Sequence, residues 1–429
     1  MCGRPRRCIG PVRLLIWIAG VLAFLGVGAA WVLWVRTRRK HVRIDVPPEA
    51  DPLSLARSFA GFTWGHVTEG NRVQVVQNAT FFAALAKDIG DARHHVHLET
   101  FLWEDGAVSD QVSAALEAKA REGVTVRVLV DQRGAKQTSP RVWAGLRAAG
   151  CDFRVYHRAR FREIVWYNNR DHRKIAVIDG RIGWTFGHGI ADMWGEKGGW
   201  RDTAARFEGP VVNDLQAAFF DNWMAVTRRA PAGAEYFPRL DDTGGTTPVH
   251  VAYVTQAETS SAVERLYYFA IAAARQEIIL QNPYFIPNRH AVGLLVAARA
   301  RGVAVKLLLP TSETSDFPIV QHASHWYYGP LLAAGAEIAE YTRSGIHQKV
   351  MIVDRSWCTI GSTNFDPRSF NINDEITVAI YDAAIAGELA TEFDHDLIGA
   401  DFWTYDRWND RDFRHRFIDR ASAMLKRQL

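Results

Sequence analysis

Short, strongly apolar runs of strand length recur along the chain in two matching series. Gly123–Val130 and Gly302–Leu309 each follow a helix-patterned segment and continue with β-branched and other apolar residues. Leu146–Gly150 and Leu332–Gly335 each close a helix with glycine where a left-handed cap falls. Ser139 and Pro140 open the first of those helices as a cap with proline in its first turn. Ile175–Ile178 with Ile182–Phe186, and Val350–Val353 with Trp357–Ile360, read as paired strands around a tight turn. Matched points keep a nearly constant offset, from Gly123 to Gly302, from Gly150 to Gly335 and from His172 to His347. The pattern therefore predicts an α/β fold of two similar α/β sandwich repeats, residues 71–230 and 249–429, packed about a pseudo-twofold axis. Pro231–Pro248, with Gly233, Gly244, Gly245, Asp241 and Asp242, reads as the linker between them.

One apolar stretch has neither period. Leu14–Val35 is 22 uncharged residues, about 33 Å as a helix, enough for a bilayer core of roughly 30 Å. Trp17, Trp31 and Trp34 sit where an interfacial aromatic belt falls. The segment 1–43 is thus expected to hold one N-terminal transmembrane helix over 14–35, longer than the apolar part of a cleaved signal peptide. Basic residues flank it on both sides, so charge does not set its orientation.

The two series share one polar frame. His172–Asp179 places His172, Lys174 and Asp179 at the spacing that His347–Asp354 repeats with His347, Lys349 and Asp354. In an extended segment residues i and i+2 share a face, so each copy presents an imidazole beside an ammonium. That pair suits a phosphodiester, with a nitrogen nucleophile and a fixed cation for the phosphate oxygens. If the repeats face each other, one histidine can attack phosphorus while the other protonates the leaving alkoxide. Asp179 and Asp354 stand first as turn residues. A histidine base needs a carboxylate to fix its tautomer. Asp202 follows His172 at nearly the interval at which Glu375 follows His347, so each is expected to serve the histidine of its own repeat. Gly361–Asn364 adds the Ser362 hydroxyl and the Asn364 amide for close approach to phosphate.

Charge narrows the substrate. Nine basic residues precede the first acid, Asp45, and beyond them 42 basic residues face 47 acidic ones. A body with net negative charge is poorly suited to tracking nucleic acid. The four cysteines are too scattered for a disulfide framework; Cys151 and Cys358 read as buried thiols, and Cys2 and Cys8 flank the anchor. His94, His95 and His97 lack an accompanying ligand set and read as strand residues. His322 and His325 read as helix-face residues, and Trp403, Trp408 and the basic 411–427 region as a capping amphipathic helix.

The doubled frame, followed by Gly361–Ser369 and Asn373–Glu375 and supported by Gln281–Pro287 and Trp200–Thr203, resembles the phospholipase D superfamily and its bacterial cardiolipin synthase branch. The likeness runs from about residue 70 to 400. It implies that His172 and His347 are the nucleophile and acid–base pair, with His172 the more usual nucleophile. It implies that Lys174, Lys349 and Asn364 grip phosphate, with neither metal nor cofactor. It implies a phosphatidyltransferase in the bacterial inner membrane, acting on phospholipids and making cardiolipin from phosphatidylglycerol. A phospholipase D-type hydrolase, a nuclease-like phosphodiesterase and an impaired lipid-binding scaffold are the alternatives; oligomeric state is left open. One position departs from the family. Where Gly-Gly-x-Asn usually follows the first frame, Phe186–Gly189 ends in glycine, and His188 is the candidate replacement for the missing ligand.

Overall fold

The computed structural model describes residues 17–28, 44, 46–47, 52–156, 169–195, 199–240, 243–254 and 261–424. The chain divides into Met1–Asp45 and Val46–Leu429. In the first unit residues 17–28 form a helix with apolar side chains such as Trp17, Phe24 and Val27 exposed. Among the described residues no helix is long and apolar enough to cross a membrane. Both ends of the expected span, 14–16 and 29–35, lie outside the described residues.

The second unit is a mixed α/β body built on one sheet of 15 strands. Its first half contributes β1 (Val67–Gln77), β2 (His95–Thr100), β3 (Thr125–Asp131), β4 (Asp152–Tyr156), β5 (Ile175–Ile178), β6 (Ile182–Phe186) and β7 (Thr203–Glu208). The second contributes β8 (Thr247–Tyr253), β9 (Glu277–Gln281), β10 (Ala304–Pro310), β11 (Glu337–Tyr341), β12 (Val350–Val353), β13 (Trp357–Gly361), β14 (Ile376–Ile380) and β15 (Asp401–Trp403). The order is symmetric about the antiparallel pair β1–β8: outward from it run β1-β7-β6-β5-β2-β3-β4 on one side and β8-β14-β13-β12-β9-β10-β11 on the other. β15 extends only the second side, antiparallel to β11.

Burial on both faces explains why the strands read as continuous apolar runs. In β5, Ile175 and Val177 join a core under the helix Val211–Thr227, while Ala176 and Ile178 face a second core under Thr80–Gly90 and Ala107–Arg121. Val350 and Ile352 of β12 lie in the first of these cores, so it runs beneath both halves. The 231–240 part of the expected linker packs back on the first half, with Tyr236 against Arg127 and Leu240 buried.

His322 and His325 are helix residues, as read from the sequence. On the helix Pro318–Ala333 they bond Asp419 (3.0 Å) and Glu340 (2.8 Å) and tie down the helix Phe413–Met424. His95 and His97 are stacked and buried on β2.

Candidate active site

Each frame enters its strand through an irregular segment. His172–Lys174 precede β5 and His347–Lys349 precede β12, and each is clamped by backbone bonds from the opposite half. His172 N–H donates to the Asp374 carbonyl (2.9 Å) and Asp374 N–H to that of Arg170 (2.8 Å). The same exchange joins His347, Arg201 and Gly345, at 2.8 Å for both bonds.

That crossing overturns the expected carboxylate pairing. His172 Nδ1 lies 3.0 Å from Glu375 Oε2, and His347 Nδ1 lies 2.8 Å from Asp202 Oδ2. Asp202 follows His172 in sequence yet supports His347, because β7 and β14 begin beside the frame of the other half. Both carboxylates are fully buried. With Nδ1–H donated to a carboxylate, Nε2 is the nitrogen left to face a substrate. Lys174 Nζ donates to the His172 carbonyl (3.1 Å), and Lys349 Nζ lies 2.9 Å from His347 Nε2.

Burial sets the electrostatics. It pushes His172 down to about 4, opposed by Glu375 and reinforced by Lys174, and holds His347 well below its ordinary value with help from Lys349 and Lys174. Burial thus favours the neutral form of both imidazoles. Burial also pushes Lys174 down to about 8 and Lys349 to about 7, with the neighbouring carboxylates opposing. The two acids differ. Burial raises Asp202. It acts the same way on Glu375 but is outweighed by His172 and Lys174, leaving that carboxyl lowered.

Asp179 and Asp354 keep the turn role read from the sequence, while the roles expected of His188 and Ser362 change. Asp179 and Asp354 stand at the far ends of β5 and β12, roughly 16 Å along the chain from the lysines. Their backbones are left-handed, at φ 53° and 52°. The Asp179 carboxylate accepts from the N–H groups of Arg93, His94 and His95 (2.7–2.8 Å), and that of Asp354 from Arg275, Gln276 and Glu277 (2.7–3.1 Å). They pin the turns to β2 and β9 and are not part of the catalytic group. His188 is no replacement ligand: it is fully buried, stacked on Phe81, with Nε2 3.0 Å from the Asn78 carbonyl. Ser362 donates to Glu375 Oε2 (2.5 Å), so its hydroxyl holds the acid. Asn364 is buried beyond the end of β13, its amide oxygen without a partner among the described residues.

The departure at Gly189 has a steric cause. A Cβ there would lie 2.9 Å from both Leu102 and Trp194. Trp194 Nε1 donates to Asp202 Oδ2 (3.0 Å), the role that Ser362 fills toward Glu375. At the matching position Gly187 leaves no room for a side chain over Asp202. Trp194 and Trp200 wall His347 at ring distances of 5.2 and 5.9 Å, and Phe101 meets His172 edge-on at 5.0 Å. Sequence reasoning missed these aromatic walls. The only hint was the density of tryptophan around residues 194–200.

Two buried histidine–carboxylate pairs with two lysines, brought together by a symmetric α/β sheet, define a phosphodiester-transfer site. The family model for the PLD-like domain of cardiolipin synthase matches residues 85–189 and 268–397. The chain is 32% identical over 367 residues to the major cardiolipin synthase of Bacillus subtilis (strain 168), covering 83% of this chain and 75% of that one. It is 29% identical over 368 residues to cardiolipin synthase 1 of Staphylococcus aureus (strain COL), covering 84% and 74%. The fold is similar to the crystal structure of phosphatidylserine synthase from Haemophilus influenzae Rd KW20, with a TM-score of 0.65, 12% identity and coverage of 83% and 95%. The chain belongs to the cardiolipin synthase branch of the phospholipase D superfamily.

Proposed function

We propose that this protein is a membrane-anchored phosphatidyltransferase that makes cardiolipin from phosphatidylglycerol. The observation that carries the reading is the pair of buried histidines, each held through Nδ1 by a carboxylate. His172 Nε2 attacks phosphorus of the donor lipid; the P–N bond forms as the P–O bond to glycerol breaks, and His347 gives the departing alkoxide its proton. His347 then takes the proton of the acceptor's hydroxyl, whose oxygen attacks phosphorus and displaces His172. Lys174, Lys349 and Asn364 hold the phosphate oxygens. The substrate's negative charge offsets the lysines that depress His347, which favours the protonated state it needs as an acid.

The symmetric strand order supports two α/β repeats about a pseudo-twofold axis, and the exposed apolar helix at 17–28 supports an anchor over 14–35. Such an anchor holds the site at the surface where both lipids lie. The test is product analysis by mass spectrometry with full-length protein in phosphatidylglycerol vesicles. Cardiolipin and glycerol are expected; phosphatidic acid alone would make the protein a hydrolase. Removing residues 1–43 should release the body from vesicles, and continued sedimentation with them would argue against the anchor.

A further inference from the structure

The helix Phe413–Met424 packs on Pro318–Ala333, as a capping helix should, but the side it buries is the polar one. Asp419, Ser422 and Ala423 face inward, at the three- and four-residue spacing of one helix face. Asp419 bonds His322 (3.0 Å) and Arg411. Outward stand Phe413, Phe417 and Ile418, at 76%, 64% and 43% exposure. An ordinary surface helix does the reverse. The rings of Phe413 and Phe417 are stacked, with centroids 6.4 Å apart, so they form a continuous stripe.

Three arginines border the stripe. Arg416 and Arg420 fall to one side of Phe413 and Phe417 on the helix and Arg414 to the other, and all three are exposed. The acids of this segment are already taken, Asp412 by His415 (2.9 Å) and Asp419 by His322 and Arg411. Arg420 lies over the ring of Trp326 at 5.9 Å, which joins the stripe to the neighbouring helix. Trp326 and Ile319, two turns apart on that helix, are exposed as well, and so is Phe317 just before it. The patch borders the site end of the sheet. Gln281, at the end of β9, pairs both with Val350, next to Lys349, and with Leu308 near the end of β10. The helix Pro318–Ala333 therefore starts at the end of the sheet where the His347 frame lies. Asp316, beside Phe317, accepts from the hydroxyl of Tyr284, three residues past Gln281 (2.6 Å).

We propose that the face of Trp326, Phe413 and Phe417 with Arg414, Arg416 and Arg420 docks on an anionic lipid bilayer and holds the site end of the body at its surface. Charge selects the occupant. Residues 411–429 hold six basic and two acidic residues, in a body where 42 basic residues face 47 acidic ones. A second copy of the chain on this face would set arginine against arginine. Lipid phosphates would neutralise the arginines while the rings enter the acyl boundary. The proposal rests on the lipid-substrate reading above and adds a second contact to the anchor. Alone, such a contact is reversible and screened by salt, so it orients a body that the anchor retains. Tethering raises its effective concentration, so it is occupied in the full chain.

The test reads depth in the bilayer. Full-length protein with Cys2→Ser and Cys8→Ser takes one added cysteine for an environment-sensitive dye, the remaining Cys151 and Cys358 being buried. Ala421→Cys places the dye on the exposed side one turn beyond Phe417, and Arg181→Cys places it at the opposite end of β5. In phosphatidylglycerol vesicles containing lipids brominated on their acyl chains, the dye at 421 should be quenched and that at 181 should not. Combining Arg414→Gln, Arg416→Gln and Arg420→Gln should lower the docked-to-free ratio by about tenfold or more, since each arginine at an anionic surface contributes roughly fivefold. Phosphatidylcholine vesicles should give the same loss. No quenching at 421, equal quenching at 421 and 181, or quenching undiminished in phosphatidylcholine would overturn the proposal. A dye at 421 that is shielded equally without lipid would overturn it in favour of a second copy. Cardiolipin and phosphatidic acid are both anionic, so the depth reading holds whichever product forms, and product analysis tests the transferase reading separately.

Discussion

The crossed pairing of acids and histidines can be tested without knowing which histidine attacks. Glu375→Gln removes the charge bonded to His172, and Asp202→Asn removes that bonded to His347, each with little change of shape. Each carboxylate is fully buried and within 3.0 Å of its imidazole. A charge-assisted bond of this kind contributes about 1.5–3 kcal/mol, so the step that its histidine performs should slow by about 10- to 150-fold. Two assays separate the steps. Burst release of nitrophenol from a p-nitrophenyl phosphodiester needs the nucleophile but no proton for the leaving group, whereas cardiolipin formation needs both histidines. With His172 as nucleophile, Glu375→Gln and His172→Asn should weaken or abolish both signals, while Asp202→Asn and His347→Asn should keep the burst and lose cardiolipin. Reversed roles would exchange the two pairs of variants but leave the partnerships intact. A burst lost in Asp202→Asn and His172→Asn but kept in Glu375→Gln would refute the crossing.

Three further outcomes follow from the geometry. Restoring the family asparagine by Gly189→Asn should destabilise the protein by about 1–3 kcal/mol, since Leu102 and Trp194 fill the space; an unchanged thermal midpoint would show that they yield. Asp179→Ala and Asp354→Ala should each lower stability by about 2–3 kcal/mol through the loss of three N–H contacts, with near-normal kcat per folded molecule; a selective loss of kcat would assign these residues a part in catalysis. Lys349, brought down to about 7 in the folded chain, loses its proton as pH rises, so kcat/KM should fall above about pH 7. Between about 7 and 10 the unfolded chain binds a proton that the folded one does not, so this group makes stability rise with pH over the same range. An alkaline limb that persists in Lys349→Arg would assign it to another group.

Much of the sheet was legible because its strands are short, apolar and punctuated. The turn at Asp179–Gly180 fell between the strands read from sequence, and both residues hold the positive φ that such a turn requires. The partnership of Asp202 was not legible. In a duplicated chain, spacing is equal whether an acid serves its own half or the other, so the matching intervals from His172 to Asp202 and from His347 to Glu375 carry no information about crossing. His188 misled for a related reason, since a polar residue beside a missing ligand reads as a replacement when no packing is visible. Phe81 and the Asn78 carbonyl claim it instead. Trp194 escaped notice because donation from an indole to a buried acid leaves no periodic trace.

The exchange of carboxylates between the halves bears on how such a chain can be divided. Neither half holds a finished histidine: Glu375 comes to His172 from beyond the linker, and Asp202 comes to His347 from before it. A fragment ending near residue 240 would carry His172 without the acid that fixes its tautomer, and its complement would carry His347 without its own. Mixed together, the two pieces should regain turnover only as far as β1 and β8 zip along their shared edge. Chemistry in this protein is thus a reporter of assembly, and complementation between inert fragments would measure the joint that makes two half-sheets one.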